Sequence, residues 1–294
     1  MRALLSRETG LISLAAVAFA GLALAFNGYV FGEADHAIHL CFLDLQSHPQ
    51  RWDGDLLAAS SKHHHSLFWA LQAPLAELLS VPLWTAIGYL AALIATGAAI
   101  FHLSMVLWKS RAIAILTLVV LAPSQFALGG ALTLDPLLLN RTAALPLEIF
   151  AIAVLVSKRT TLSFALLGVA ASLHVPSASG LAAALTAVHL LRCLRQRGIR
   201  GIGWREALAP LACPLLASPV LALWLLDGGA SGASLWVDPA WRDVLELRMS
   251  HHLFASSWPA KHWLIMSVWI LAGMTALAVR GLDEERSLLL SLIP

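Results

Sequence analysis

Two carboxylates and two imidazoles lie together near the start of this sequence, where a long apolar run ends. Glu33, Asp35, His36 and His39 follow directly on the apolar residues 10–31. A charged Asp at the centre of a membrane helix costs about 2.5–3.5 kcal/mol on insertion scales, whereas groups at the membrane edge stay partly wet. A positioned carboxylate can take the proton of a weak nucleophile. This segment is therefore the first candidate site, with Asp35 and then Glu33 as the catalytic candidates.

The role of Asp35 has three readings on the sequence alone: a general base, a metal ligand or a helix cap. Asp is a preferred N-cap, and an amphipathic helix is predicted over residues 35–47, lying in the interface plane. As a base we place Asp35 before Glu33. Asp35 lies one helical turn from His39, so both face one side of that helix, whereas Glu33 lies in the less regular approach.

A second cluster of candidates lies near the end of the sequence. On a helix, Arg248 faces His251 and His252, which follow it by three and four residues. Arginine offers a planar fork of donors and histidine a further donor, so the cluster could bind a phosphate. The alternative is an interfacial group that contacts ordinary lipid headgroups.

Two further candidates lie between these clusters. Arg141 could contact a phosphate or could pair with Asp135. His174 lies two residues before Pro176, in the middle of the apolar residues 160–191. A proline removes a backbone donor and interrupts a helix, so His174 could instead satisfy backbone groups that Pro176 leaves free.

The sequence contains no strong signature of a metal, disulfide or nucleotide site. Successive residues of a helix point about 100° apart, so His63, His64 and His65 cannot all face one ion. Their spacing is not that of a known metal site either. The three cysteines are far apart and form no CxxC pair, and phosphate-loop, dinucleotide and hydrolase motifs are absent. No metal ligands are predicted and no cofactor is indicated, with a divalent metal as the alternative.

The composition indicates a membrane protein. Of 294 residues, 59% are hydrophobic and 12% charged, and the mean hydropathy is +0.78, whereas soluble domains carry about 25% charged residues. A spanning helix needs about 20 apolar residues. We therefore predict an all-α, multi-pass transmembrane bundle, a single integral membrane domain over residues 1–294 with about eight spans. The spans are residues 10–31, 83–108, 112–128, 142–157, two short helices within 160–191 that turn at His174, 206–226 and 262–279.

Two long polar loops, residues 32–82 and 227–261, separate these spans. A cleaved signal ending near Ala23-Leu24-Ala25 is the alternative to an uncleaved first span, which we favour because the apolar run continues past that point. Residues 287–294 begin a further apolar run that is too short to cross. We therefore expect the chain to be the N-terminal part of a longer protein.

The distribution of basic residues predicts the orientation. With the N-terminus in the cytoplasm, the inner loops carry thirteen of the nineteen Lys and Arg residues, as the positive-inside rule requires. The same topology places ten of the twelve histidines on the outer side, although histidine was not used to derive it. We therefore expect any chemistry, and both long loops, on the extracytoplasmic face. The net charge of +2 is spread over loops, so membrane lipid is the predicted partner and nucleic acid is not.

Three short motifs carry a resemblance to known proteins: residues 32–39 (GEADHAIH), 52–55 (WDGD) and 248–252 (RMSHH). Together they resemble a bacterial family of uncharacterised multi-pass membrane proteins that is itself considered GT-C-like. One span followed by an outer loop that begins with Glu33-Ala34-Asp35 also resembles the N-terminal part of a GT-C glycosyltransferase.

The resemblance implies a location in the bacterial inner membrane and a polyprenyl-phosphate-linked sugar as donor. It also implies an acidic base in the first outer loop, which falls on Asp35 and secondly on Glu33. The candidates for substrate or phosphate binding are His36, His39, Arg141, His174, Arg248, His251 and His252.

Two other functions remain open at this point. A transporter would need intramembrane acids and broken helices along a pathway, and Glu148 and the break at His174 are hints of these. No inverted repeat is apparent. A non-catalytic membrane scaffold would instead leave the outer Asp and His residues unclustered.

Overall fold

The computed structural model describes residues 2–61, 63–126, 132–197, 203–226 and 238–279. Within these residues the regular structure is helical, with one isolated β-bridge between Phe126 and Leu132. The predicted all-α class is confirmed. In chain order the α-helices are α1 Arg2–Asn27, α2 Asp35–Ser47, α3 Leu56–Ser61, α4 Phe68–Leu79, α5 Val81–Trp108, α6 Arg111–Leu121, α7 Asn140–Val156, α8 Thr160–Leu173, α9 Val175–Arg197, α10 Trp204–Leu208, α11 Ala212–Leu216, α12 Ser218–Leu226, α13 Pro239–Leu253 and α14 Ala260–Val279.

Three of these helices contain segments long and apolar enough to cross a membrane: Thr9–Asn27 of α1, all of α5, and Val175–Arg195 of α9. A fourth crossing is possible if Trp204–Leu216 and Ser218–Leu226, which are bent by 59° to each other, form one broken span. These helices are compatible with an integral membrane protein. The total of about eight spans stays a prediction.

Two predicted spans differ from the helices found. The span predicted over residues 112–128 contains α6, which has 11 residues and so is about 16 Å long, about half of a hydrocarbon core. Pro123 follows closely after its end. The span predicted over 206–226 is divided into short helices, and Pro210, Pro214 and Pro219 lie within it. Proline lacks the backbone N–H that a continuous helix needs, which explains the interruptions.

The predicted turn at His174 is confirmed. α8 ends at Leu173 and α9 begins at Val175, while His174 itself has extended backbone with φ −143° and ψ 96°. Pro176 disfavours helical backbone at the residue before it and cannot donate to the preceding turn. The second helix is longer than expected, because α9 has 23 residues.

The chain forms two compact units. The first comprises Met1–Pro123 and Asp135–Asp227, and the second comprises Ser124–Leu134 and Gly228–Pro294. In the first unit α5 packs against α1 and α7, α7 packs against α8, α8 packs against α9 and α11, and α2 packs against α4. In the second unit the ring of Phe126 stacks on His262 at 5.2 Å, and the Lys261 ammonium lies 5.9 Å from the same ring.

Small side chains allow the helices of the first unit to approach closely. A buried cluster of five alanines joins α7, α8 and α9 with the residue after α11; its members are Ala144, Ala170, Ala171, Ala178 and Ala217. At Gly168 a Cβ atom would lie 2.6 Å from the Cys213 carbonyl oxygen and 2.7 Å from the Leu216 Cβ atom. Such close contact at small residues is typical of membrane helix pairs.

Replacing Gly168 by alanine is expected to destabilise the protein by about 1–3 kcal/mol, because the added methyl group meets backbone that cannot move aside cheaply. The unfolding temperature in detergent measures the effect. Gly180→Ala is the matched control, since a Cβ atom at Gly180 in α9 meets nothing within 4 Å. Equal unfolding temperatures for the two variants would show that α8 and α11 have room to separate.

Candidate functional site

The segment between α1 and α2 is held against the segment that precedes α7. The Val30 N–H donates to the Pro136 carbonyl oxygen at 2.7 Å. The chain then turns into α2 through Gly32, with φ +75°, and Ala34, with φ +49°. Positive φ is rare for a residue with a side chain, so Ala34 holds an unfavourable conformation here. The result is that the first residues of α2 lie beside the first residues of α7.

Arg141 lies between two carboxylates at this point. Its Nε donates to Asp135 Oδ2 at 2.6 Å and its Nη2 donates to Asp135 Oδ1 at 2.8 Å. Nη2 also lies 3.4 Å from Asp35 Oδ2. The pairing of Arg141 with Asp135, one of the two sequence alternatives, is thus confirmed as a bidentate contact, the geometry in which an arginine is held most firmly. The contact with Asp35 was not predicted.

The two carboxylates differ in exposure, and the difference separates their roles. The Asp135 side chain is 9% exposed, whereas that of Asp35 is 54% exposed. Burial by itself lowers the pKa of Arg141. The hydrogen bonds and the charge of Asp135, and then the charge of Asp35, outweigh burial and raise that pKa above its ordinary value. Asp135 therefore anchors a permanently charged guanidinium, and Asp35 is the member that an outside molecule can reach.

Asp35 is not the cap of α2. It is the first residue of that helix, Ala34 occupies the N-cap position, and no side chain makes a capping hydrogen bond there. The capping alternative for Asp35 is therefore wrong. The reason is the tight turn at Ala34, which places Asp35 inside the helix and leaves its carboxylate directed to Arg141 and not to backbone N–H groups.

His39 lies one turn further along α2, in contact with later residues of the segment 32–82. Its ring stacks on Trp69 of α4 at 5.1 Å and lies 6.1 Å from the ring of His64. Burial, and then the neighbouring His64, lower the pKa of His39 to about 4, against a raising effect of Asp35. Its Nδ1 atom is buried and has no hydrogen-bond partner among the described residues. His39 is therefore neutral at neutral pH.

His36 is fully buried in the first turn of α2. Its Nδ1 accepts a hydrogen bond from the Gly32 N–H at 3.2 Å, so Nε2 carries the proton of the neutral ring. That Nε2 atom has no partner in the part of the chain that the structure describes, and burial lowers the pKa of His36. Its contacts hold the turn, and its role as a phosphate ligand stays a prediction.

His174 contributes a third imidazole, at the break between α8 and α9. Its Nδ1 lies 2.6 Å from Ser177 Oγ, and that hydroxyl donates to Glu148 Oε1 at 2.6 Å. Burial and then the charge of Arg141 lower the pKa of His174 to about 4, against a raising effect of Asp135. The segment 32–82 is bound close to the same break, because the Leu67 N–H donates to the Ser172 carbonyl oxygen at 2.9 Å.

We call the following five residues, which act on one another through charge or direct contact, the Arg141 cluster: Asp35, His39, Asp135, Arg141 and His174. Sequence reasoning had named Asp35, His39, Arg141 and His174 as site residues. It did not use Ser177, although Ser177 follows His174 by three residues and would face it on a helix. Asp135 was recognised only as an alternative partner of Arg141.

The other predicted residues are not brought into this cluster by the described part of the structure. Glu33 is exposed in the approach to α2, and its carboxylate makes no hydrogen bond or ion pair with the described residues. Arg248, His251 and His252 lie on α13, but their side chains are outside the described residues. Their role in phosphate binding stays a prediction. No group of three or more His, Cys, Asp or Glu residues that could hold a metal ion is found in the described ranges.

No protein-family model, curated protein or solved structure matches this chain.

Proposed function

We propose that this protein is a membrane-embedded glycosyltransferase of the GT-C type. It would transfer a sugar from a polyprenyl phosphate to an acceptor hydroxyl on the extracytoplasmic face. The observation that carries the proposal is the arrangement of Arg141, which is fixed by the buried Asp135 and lies 3.4 Å from the half-exposed Asp35. A fixed cation beside an accessible carboxylate supplies the two groups that this transfer needs.

The mechanism follows from competition for Arg141. The donor phosphate is an anion and displaces Asp35 from the guanidinium, while the bidentate contact with Asp135 keeps Arg141 in place. Asp35 is then free to take the proton of the acceptor hydroxyl, which attacks the sugar. Negative charge collects on the leaving polyprenyl phosphate, and Arg141 stabilises it because an already oriented donor needs no reorganisation during the reaction.

The proposal includes an orientation, with the N-terminus in the cytoplasm of a bacterium and residues 32–82 and 227–261 outside. It is supported by the thirteen-to-six distribution of Lys and Arg. In a variant whose three native cysteines are replaced by serine, an impermeant maleimide added to intact cells should label Ser47→Cys. It should spare Arg200→Cys until the membrane is opened. The reverse labelling would remove the Arg141 cluster from the outer face and contradict the proposal.

The activity itself is tested on purified protein in lipid nanodiscs with polyprenyl-phosphate-linked glucose, mannose and galactose as donors. Release of polyprenyl monophosphate in the presence of membrane lipid extract is the readout. Arg141→Lys keeps the charge and loses the planar fork, so it should weaken donor binding. Inorganic phosphate as a competitor separates recognition of the phosphate from recognition of the lipid. Absence of both binding and release with every donor would refute the proposed function.

The second candidate is a proton-coupled transporter, favoured by one observation. Glu148 is 9% exposed and is bonded through Ser177 to the helix break at His174, and transporters often place acids beside broken helices. In proteoliposomes that contain a pH-sensitive dye, a transporter would acidify the lumen when a solute gradient is applied. Glu148→Gln would abolish that signal. A glycosyltransferase would leave the dye unchanged.

A further inference from the structure

Three side chains form a hydrogen-bonded row that runs from the Arg141 cluster to a buried carboxylate. His174 Nδ1 lies 2.6 Å from Ser177 Oγ, and Ser177 Oγ lies 2.6 Å from Glu148 Oε1. Glu148 is buried on α7, and Ser177 belongs to the first turn of α9. The mechanism proposed above uses neither Ser177 nor Glu148. Among the described residues the Glu148 carboxyl group has one hydrogen bond, from Ser177, and a buried carboxylate with so little compensation is costly.

The direction of the hydrogen bonds determines the tautomer of His174. A carboxylate only accepts hydrogen bonds, so the Ser177 hydroxyl donates to Glu148. The Ser177 oxygen must then accept from His174, which places the imidazole proton on Nδ1. Nε2 is left with its lone pair, as in other sites where a hydrogen bond to one ring nitrogen sets the state of the other. His174 therefore presents a base on the side of its ring away from Ser177.

We propose that His174, Ser177 and Glu148 form a proton relay that carries a proton from the Arg141 cluster to the buried Glu148 carboxylate. The inference rests on the proposed function, because glycosyl transfer supplies the proton that Asp35 must lose before the next turnover. Arg141 contacts Asp35, and the charge of Arg141 also acts on His174. His174 is therefore the member of the row that faces the charge of the Arg141 cluster.

The proton count of the relay balances without any change in oxidation state. An N–H bond forms at His174 Nε2 as the N–H bond at Nδ1 breaks and its proton passes to Ser177 Oγ. The original Ser177 O–H bond breaks, and that proton forms a new O–H bond on Glu148. At the end His174 is neutral with its proton on Nε2, Ser177 is a hydroxyl again, and Glu148 is a neutral carboxylic acid. In the reverse direction the Glu148 proton returns to Ser177, the Ser177 proton returns to His174 Nδ1, and the Nε2 proton leaves to water, which restores the starting state.

The relay explains how a histidine with a low pKa can serve in proton transfer. Burial lowers the pKa of His174 to about 4, and the nearby Arg141 charge acts in the same direction. A positively charged imidazole is therefore unfavourable at this position. In the relay the ring gains one proton as it loses another, so it never has to remain charged. The relay therefore never leaves a second positive charge, on His174, near the guanidinium of Arg141.

Spectroscopy on the whole protein tests the relay without any substrate. Nitrogen-15 NMR of histidine-labelled protein, assigned with His174→Gln, should show the Nδ1–H tautomer at neutral pH. As the pH is lowered towards 4, His174 should change to the Nε2–H tautomer while an infrared band of a protonated carboxyl appears. That band should be missing in Glu148→Gln. Formation of a charged imidazole before the band appears, or an Nε2–H tautomer at neutral pH, would overturn the relay.

Kinetics separates proton acceptance from positioning. Glu148→Gln keeps an oxygen that accepts from Ser177 but cannot become a neutral acid, so transfer should slow by about 10²-fold or more in kcat with little change in KM. Ser177→Ala should slow transfer and should leave the proton of neutral His174 no longer fixed on Nδ1. Ser177→Thr keeps the hydroxyl, so it should retain both the transfer rate and the Nδ1–H tautomer. Ser179→Ala, in the exposed part of the same turn, is the matched control.

The outcomes distinguish the relay from the proposed function. Wild-type rates in Glu148→Gln, with the Nδ1–H tautomer retained, would overturn the relay and leave the glycosyltransferase in place. Failure of the wild-type protein to transfer any sugar would refute the glycosyltransferase. In that case the tautomer change and the carboxyl band decide the relay by themselves, with their presence supporting it and their absence overturning it.

Discussion

Replacement of Asp35 by asparagine is expected to slow sugar transfer by about 10²–10⁴-fold, the usual contribution of a positioned general base. The amide has nearly the size of the carboxylate but cannot take a proton from the acceptor. The Asp35 side chain is 54% exposed and its contact with Arg141 is 3.4 Å long, so the loss of that contact should change the unfolding temperature little. Transfer rates and expression in the membrane fraction are the measurements.

Glu33→Gln is the matched control for this prediction. Glu33 lies two residues earlier, is exposed, and has no described contact with Arg141, so its variant should transfer at close to the normal rate. If Glu33→Gln alone abolishes transfer, Glu33 is the base. If Asp35→Asn turns over normally, Asp35 is only the outer ion-pair partner of Arg141.

Replacement of Asp135 by alanine is expected to destabilise the protein by about 3 kcal/mol, the lower part of the range for breaking a buried ion pair. The lower part applies because the Arg141 side chain is still 37% exposed. The variant removes both short hydrogen bonds of Arg141 and leaves Asp35 as its remaining partner. Thermal unfolding in detergent measures the stability, and donor binding should weaken as well because Arg141 is no longer oriented.

Arg51→Ala is the control, since it breaks an exposed ion pair with Asp44 in which the Arg51 side chain is 64% exposed. Exposed pairs contribute about 0–1 kcal/mol. The double variant Asp135→Ala, Arg141→Ala should be more stable than Asp135→Ala alone, because no charge is left without its main partner. Equal effects of Asp135→Ala and Arg51→Ala would show that the bidentate pair adds nothing to stability.

Local features of the fold could be predicted because they follow from short-range chemistry. The helix predicted over residues 35–47 is found as α2, Asp35–Ser47, since its pattern of apolar and polar residues is sufficient to define it. The break at His174 follows from Pro176. Within the described residues, the span predicted over 112–128 is found as the shorter helix α6, and the span predicted over 206–226 is found as a bent series of short helices. Average hydropathy does not register these interruptions, because it ignores the effect of single prolines on a helix.

The sequence by itself determined the all-helical class, the long apolar helices α1 and α5, and the chemical types of the site residues. All of these depend on composition or on neighbours within about one helical turn. Only the tertiary structure decided that Arg141 joins Asp35 to Asp135, and that Ser177 connects His174 to Glu148. Asp35 and Arg141 are separated by many residues and by four intervening α-helices, α3 to α6. Their contact depends on how α2 and α7 are positioned by long-range bonds such as that between Val30 and Pro136, which no local pattern records.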